Sequence, residues 1–275
     1  MSQLLEPEQL EASLTDDDLI IIDLCNSALY DQKHVPGAVH LSANHLISGA
    51  PPAPGTCPSA EQLSRVINYL GIEANKRIVI YDDEGGGWAG RMAWTLDLMG
   101  FDNWCYLNGG IVPWIKEGFP TESIANEPAS SKPVPLPIIN SRVRISADEI
   151  KAALDSANFA IWDARSPNEF SGTMIRAARG GHIPGAINLE WTTLMDQHRN
   201  LRIREDAEQL LEAAGFTKDQ HIATHCQTHH RSSFTYMVAR ILGYQDIRGY
   251  DGSWAEWAIL DHLPVELGPQ LVSQP

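Results

Sequence analysis

The feature that most constrains this chain is an internal repeat. Lys33-His34-Val35-Pro36-Gly37-Ala38 recurs as Gly181-His182-Ile183-Pro184-Gly185-Ala186. Upstream of each copy, Ile20-Ile21-Ile22-Asp23-Leu24 matches Ala160-Ile161-Trp162-Asp163-Ala164. Downstream, Arg77-Ile78-Val79-Ile80-Tyr81-Asp82 aligns with His221-Ile222-Ala223-Thr224-His225-Cys226, and the block from Leu107 to Trp114 aligns with that from Tyr250 to Trp257. Four matching blocks in one order imply duplication of a single unit. A period of about half the chain means two domains in tandem, not a solenoid.

The boundaries follow from composition. Pro128, Pro133, Pro135 and Pro137, with Ser and Ala between them, mark residues 126–141 as a stiff, extended linker, leaving domains at 1–125 and 142–275. Within each unit, short apolar runs alternate with helical patterns. Ala160–Trp162 and Ile222–Thr224 read as buried parallel strands. Ala207–Ala214 and Phe234–Leu242 read as helices, with Phe234, Met237, Val238 and Ile241 on one face of the second. Strand–helix alternation predicts an α/β fold with a mainly parallel sheet in each domain.

A net charge of −15 argues against non-specific binding to nucleic acid or to an anionic membrane. The acidic excess falls mainly in the first half, so a site for a small anion is expected in the second. The N-terminus has neither a basic segment nor an apolar core, and no apolar run approaches the length of a membrane span. Cys25, Cys57, Cys105 and Cys226 form no C-x-x-C pair. These features predict a cytoplasmic protein with free thiols; they say little about oligomeric state, for which a monomer is the starting expectation.

The segment His225-Cys226-Gln227-Thr228-His229-His230-Arg231-Ser232-Ser233-Phe234 lies between a predicted strand end and a predicted helix start, where α/β sheets bind ligands. A loop curling into a helix N-terminus gathers backbone N–H groups around its centre and stabilises an anion there. A cysteine heading such a loop is expected to be largely thiolate, with Arg231 adding a permanent charge and His229 and His230 adding partial ones. Cys25, Cys57 and Cys105 have no basic neighbours in sequence and read as inert thiols. His225, His229, His230 and Cys226 match no common zinc spacing, so no metal is expected. The two loop histidines read otherwise as a polar rim on an exposed loop.

The duplicated unit resembles a rhodanese domain, and the whole chain resembles the two-domain thiosulfate sulfurtransferases. Tyr30-x-x-x-His34-Val35-Pro36-Gly37-Ala38-x-x-Leu41 fits that family's upstream signature, and Tyr250-Asp251-Gly252-Ser253-Trp254-Ala255-Glu256-Trp257 fits its C-terminal one. The resemblance implies tandem α/β domains, with an active cysteine only in the second, at the head of a six-residue loop. Asp82 stands opposite Cys226, which implies that the first domain is catalytically inactive. The loop Cys-Gln-Thr-His-His-Arg is bulkier and more cationic than the Gly-containing loop usual in animal members, and resembles a bacterial subgroup. The resemblance further implies that Arg165 faces the substrate, with a surface ion pair to Glu169 as the alternative. Gln227, Thr228, His229 and His230 would line the pocket. Trp191 would wall it or else pack into the core.

The implied reaction needs no cofactor. Cys226 takes the outer sulfur of thiosulfate as a persulfide and passes it to cyanide or a thiol. A persulfide carrier serving a protein partner is one alternative. A cysteine phosphatase is another, although four residues between Cys226 and Arg231 make the ring of N–H groups one residue smaller than the phosphatase Cys-x5-Arg loop.

Overall fold

The computed structural model describes residues 3–128 and 140–270. Most of the predicted linker, residues 129–139, lies outside them. In chain order the strands are β1 (Leu4–Leu5), β2 (Leu19–Asp23), β3 (Val39–His40), β4 (Arg77–Tyr81), β5 (Trp104–Leu107), β6 (Phe159–Asp163), β7 (Ile187–Asn188), β8 (Met195–Asp196), β9 (Arg202–Ile203), β10 (His221–His225) and β11 (Ile247–Gly249). The chain divides into two compact units. The first holds residues within 1–48, 57–140 and 195–204, and the second those within 49–56, 141–194 and 205–275. Two short segments thus fold with the unit that the other half of the sequence encodes. The repeat alone does not reveal this, because the segments carry no matching block.

The first unit has a parallel sheet in the order β1-β5-β4-β2-β3, and the second a parallel sheet in the order β11-β10-β6-β7. The predicted fold class holds in both. Parallel strands covered on both faces need continuous apolar, β-branched runs, which Ile20-Ile21-Ile22 and Ile78-Val79-Ile80 supply; all six are buried. The counterpart of β1 in the second unit is only an isolated parallel bridge, Arg144 to Gly249. Register repeats with the sequence: Asp23 pairs with Tyr81 in one sheet and Asp163 with His225 in the other. Asp82 and Cys226 therefore stand at equivalent strand ends.

The repeated His-x-Pro-Gly-Ala block fixes the fold. His34 stacks on Tyr30 with ring centroids 3.9 Å apart, and its Nδ1 lies 2.6 Å from the Tyr30 carbonyl oxygen. His182 stacks on Phe170 at 3.6 Å, with Nδ1 2.9 Å from the Phe170 carbonyl oxygen. The backbone N–H groups of the two histidines donate to the carbonyls of Glu122 and Glu266, respectively. Both histidines are buried and tie the turn to the short helix before it and to the segment at Glu122 or Glu266. Among the described residues no helix is long and apolar enough to cross a membrane.

Candidate active site

Strand β10 ends at His225, and the helix Arg231–Ile241 begins six residues later. The helix starts three residues before the apolar spacing that predicts it, because its first turn is built of the polar residues Arg231, Ser232 and Ser233. Cys226 heads the intervening loop and is buried. Its carbonyl accepts from the N–H of Trp254 at 3.0 Å, and the Gln227 carbonyl accepts from the N–H of Ala255 at 3.0 Å. The Cys226 N–H lies 3.4 Å from the Ser253 hydroxyl, which itself donates to the Tyr250 carbonyl. The C-terminal sequence block thus seats the base of the loop.

Burial alone would push the Cys226 thiol up. The Arg231 charge, the Ser232 hydroxyl and N–H, and the Thr228 N–H outweigh it and hold the thiol below its ordinary value. Cys25 and Cys105 behave oppositely: burial pushes both up. Ser232 escapes the sequence reading, although its place just after Arg231, in the first turn of a helix, is the signal that could have found it.

Arg231 is fixed by Glu169. Its Nη1 donates to Oε2 at 2.6 Å and its Nη2 to Oε1 at 2.9 Å, a bidentate fork. The Glu169 side chain is 3% exposed, and despite the cost of burial Arg231 holds its carboxyl down at about 2. Glu169 is therefore the partner of Arg231, not of Arg165.

The remaining loop residues divide. Thr228 gives its N–H to the sulfur. Gln227 donates to the Arg176 carbonyl at 3.3 Å. His230 packs edge-on against Trp191 with centroids 5.7 Å apart, and Trp191 also meets Phe234 at 5.9 Å. His229 is not on an exposed polar rim, the alternative for the loop histidines. Its φ of +54° turns the ring inward, it is fully buried, and its Nδ1 meets the Ser232 hydroxyl at 2.8 Å.

Arg165 is held inside the fold. It is 2% exposed, its Nε and Nη2 grip the Asp163 carboxylate, its Nη2 also donates to the Gly181 carbonyl at 2.9 Å, and it lies 4.4 Å from the Trp254 ring. An arginine so engaged ties β6 to the His-Pro-Gly turn. Among the described residues no group of three or more His, Cys, Asp or Glu side chains is placed to hold a metal ion.

In the first unit the equivalent cradle holds its own carboxylate. Asp82 Oδ1 accepts from the N–H groups of Glu84 and Gly86, and Oδ2 from those of Trp88 and Ala89, at 2.8–3.2 Å. Its carbonyl accepts from the Ile111 N–H. A Cβ on Gly110 would lie 2.2 Å from that carbonyl oxygen, so only glycine fits there. Asp82→Asn should therefore destabilise the protein by about 1–3 kcal/mol, because the amide NH2 faces N–H donors. A urea transition at unchanged or higher midpoint would refute this.

Comparison with known proteins agrees with this geometry. A model of the rhodanese-like domain matches residues 6–117 and again 146–260. The chain is 47% identical over 263 residues to a thiosulfate sulfurtransferase of Azotobacter vinelandii, covering 96% of each. It is 43% identical to one of Pseudomonas aeruginosa, again covering 96% of each. It is also 30% identical to the sulfur carrier protein TtuD of Thermus thermophilus, covering 88% of each. Among solved structures, an anaerobic ergothioneine biosynthesis enzyme from Chlorobium limicola superposes with a TM-score of 0.86 at 23% identity, over 98% of this chain and 71% of that one. That last likeness is one of fold.

Proposed function

The chain belongs to the rhodanese family, and from that premise we propose that it is a thiosulfate sulfurtransferase working through a persulfide on Cys226. The observation that carries this reading is the contrast among its thiols: Cys226 alone heads a loop of N–H donors beside a fixed arginine, and it is held down where Cys25 and Cys105 are pushed up. Relatives at 43–47% identity over 96% of the chain bear the same activity in their names.

The Cys226 thiolate attacks the outer sulfur of thiosulfate. The sulfur–sulfur bond of the donor breaks, and its electron pair leaves with sulfite. Cys226 then carries S–S⁻, whose charge sits among the Thr228 and Ser232 donors and Arg231. Cyanide or a thiolate next bonds to the outer sulfur and leaves as thiocyanate or a persulfide, returning the Cys226 thiolate. Trp191 packs edge-on against His230 of the loop, and in this reading the pair walls the donor. Four free cysteines and an acidic surface suit a reducing cytoplasm and small-molecule partners.

A carrier that hands its persulfide to a protein is the second reading, favoured by the likeness to TtuD. Intact mass separates the outcomes. Thiosulfate should add one sulfur atom to the protein, and cyanide should remove it with release of thiocyanate over many turnovers. Loading without catalytic discharge would favour the carrier, and no loading would end both readings.

A further inference from the structure

Residues 49–56, Gly49-Ala50-Pro51-Pro52-Ala53-Pro54-Gly55-Thr56, come from the first half of the sequence but fold as part of the second unit. The segment is a closed arm. The Gly49 N–H donates to the Pro54 carbonyl at 3.0 Å, and both the N–H and the hydroxyl of Thr56 donate to the Ala53 carbonyl, at 3.1 and 3.0 Å. Ala53 and Gly55 are buried while Gly49 through Pro52 are exposed, so the inner end of the arm is the part that packs.

What it packs on is the sulfur-bearing loop. A Cβ on Gly55 would lie 2.0 Å from the carbonyl oxygen of Thr228, 2.5 Å from its carbonyl carbon and 2.9 Å from its Cα. All three are backbone atoms, so no side-chain rotation relieves the overlap. The backbone of Gly55 rests flush on the Thr228 backbone, one bond from the N–H that donates to Cys226.

We propose that Gly55 is a positioning residue for the sulfur-transfer loop: the absence of its side chain lets the arm seat against Thr228 and keep that residue's N–H aimed at the Cys226 sulfur. This rests on the sulfur-transfer reading for its purpose, but not for its test. The charged groups acting on the sulfur are Arg231 and, through it, Glu169 and Asp163. None lies on the arm, which has no ionisable side chain. An arm substitution can therefore act on the Cys226 titration in two ways of opposite sign: losing the Thr228 N–H moves it up, whereas admitting water to the buried thiol moves it down.

The test uses the full chain with Gly55→Ala, Thr56→Ala and, as a control on the exposed face, Ala50→Ser. Cys226 is titrated by the pH dependence of its alkylation, resolved by peptide mass so that the other thiols do not interfere. Thiosulfate:cyanide turnover and thermal melting are followed in parallel. In Gly55→Ala the thiol should titrate at higher pH, and turnover near neutral pH should fall at least about fivefold, the loss of one hydrogen bond to an anion. Thr56→Ala adds no atom to the interface and loosens the turn that carries Gly55. It should shift the titration in the same direction by less, and it decides the matter if Gly55→Ala does not fold. Ala50→Ser should match wild type. A folded Gly55→Ala whose thiol titrates as in wild type would overturn the proposal, whatever its turnover. So would an unfolded Gly55→Ala paired with an unshifted Thr56→Ala. A wild type that alkylates normally but never takes sulfur from thiosulfate would instead refute the functional reading.

Discussion

Cys226→Ser is expected to abolish sulfur transfer while leaving the fold in place. Serine is nearly isosteric, and its hydroxyl can sit among the same Thr228 and Ser232 donors. Oxygen cannot hold a sulfane sulfur as a discharging persulfide, so the covalent intermediate is lost and not merely slowed. The variant should melt close to wild type, show no sulfur adduct by intact mass and release no thiocyanate. Cys25→Ser and Cys105→Ser should keep most activity, because burial holds both thiols protonated. Substantial turnover in Cys226→Ser would place the chemistry on another residue.

Arg231→Ala should carry two separable penalties. The first is chemical. The thiolate loses its nearest cation, a charge-assisted contact worth about 1.5–3 kcal/mol, so thiol titration should move up and turnover should fall by roughly one to two orders of magnitude. The second is structural. Glu169 is left nearly buried without its fork. Breaking a buried pair costs about 3–5 kcal/mol, here reduced by the Ser166 hydroxyl and N–H, which still bond Glu169 at 3.0 and 3.2 Å.

The pH dependence separates the two penalties. A carboxyl lowered in the folded state contributes stability that is present above its unfolded value, about 4.3. That stability is lost as pH falls through the folded value, about 2. The stability gap between wild type and Arg231→Ala should thus be full near neutrality and close across that acid window. Adding Glu169→Gln to Arg231→Ala should recover much of the stability at neutral pH but none of the turnover. Recovery of both would mean that Arg231 acts only as a brace.

The fold was legible because the repeat and the strand–helix alternation are local patterns. The helix Ala207–Ala214 ends where the apolar spacing ends, at Gly215 with φ of +100°. Cys226 and Arg231 were legible because a cysteine and an arginine flank a loop between a strand and a helix. The buried settings of Arg165 and His229 were not legible, because the inward turn of a polar side chain is decided by distant partners. For Arg165 these are Trp254 and the Gly181 carbonyl; for His229 it is a left-handed backbone that sequence does not announce. The role of Glu169 depended on an arginine distant in sequence, Arg231, reaching it in place of Arg165 four residues away. The 49–56 arm has neither periodicity nor charge to mark where it packs.

The cradle at Cys226 also bears on how a turnover cycle can run. A thiolate and a persulfide each carry one negative charge, so Arg231 and the loop N–H groups face the same electrostatic load whether the enzyme is empty or loaded. Nothing in the cycle asks the loop to release one charge state and capture another. Asp82 in the first unit fills the corresponding place with a carboxyl of its own, which burial and the nearby Glu84 push up to about 6 despite the N–H groups it accepts from. The Cys226 cradle thus meets the same single charge on the protein's sulfur before and after loading.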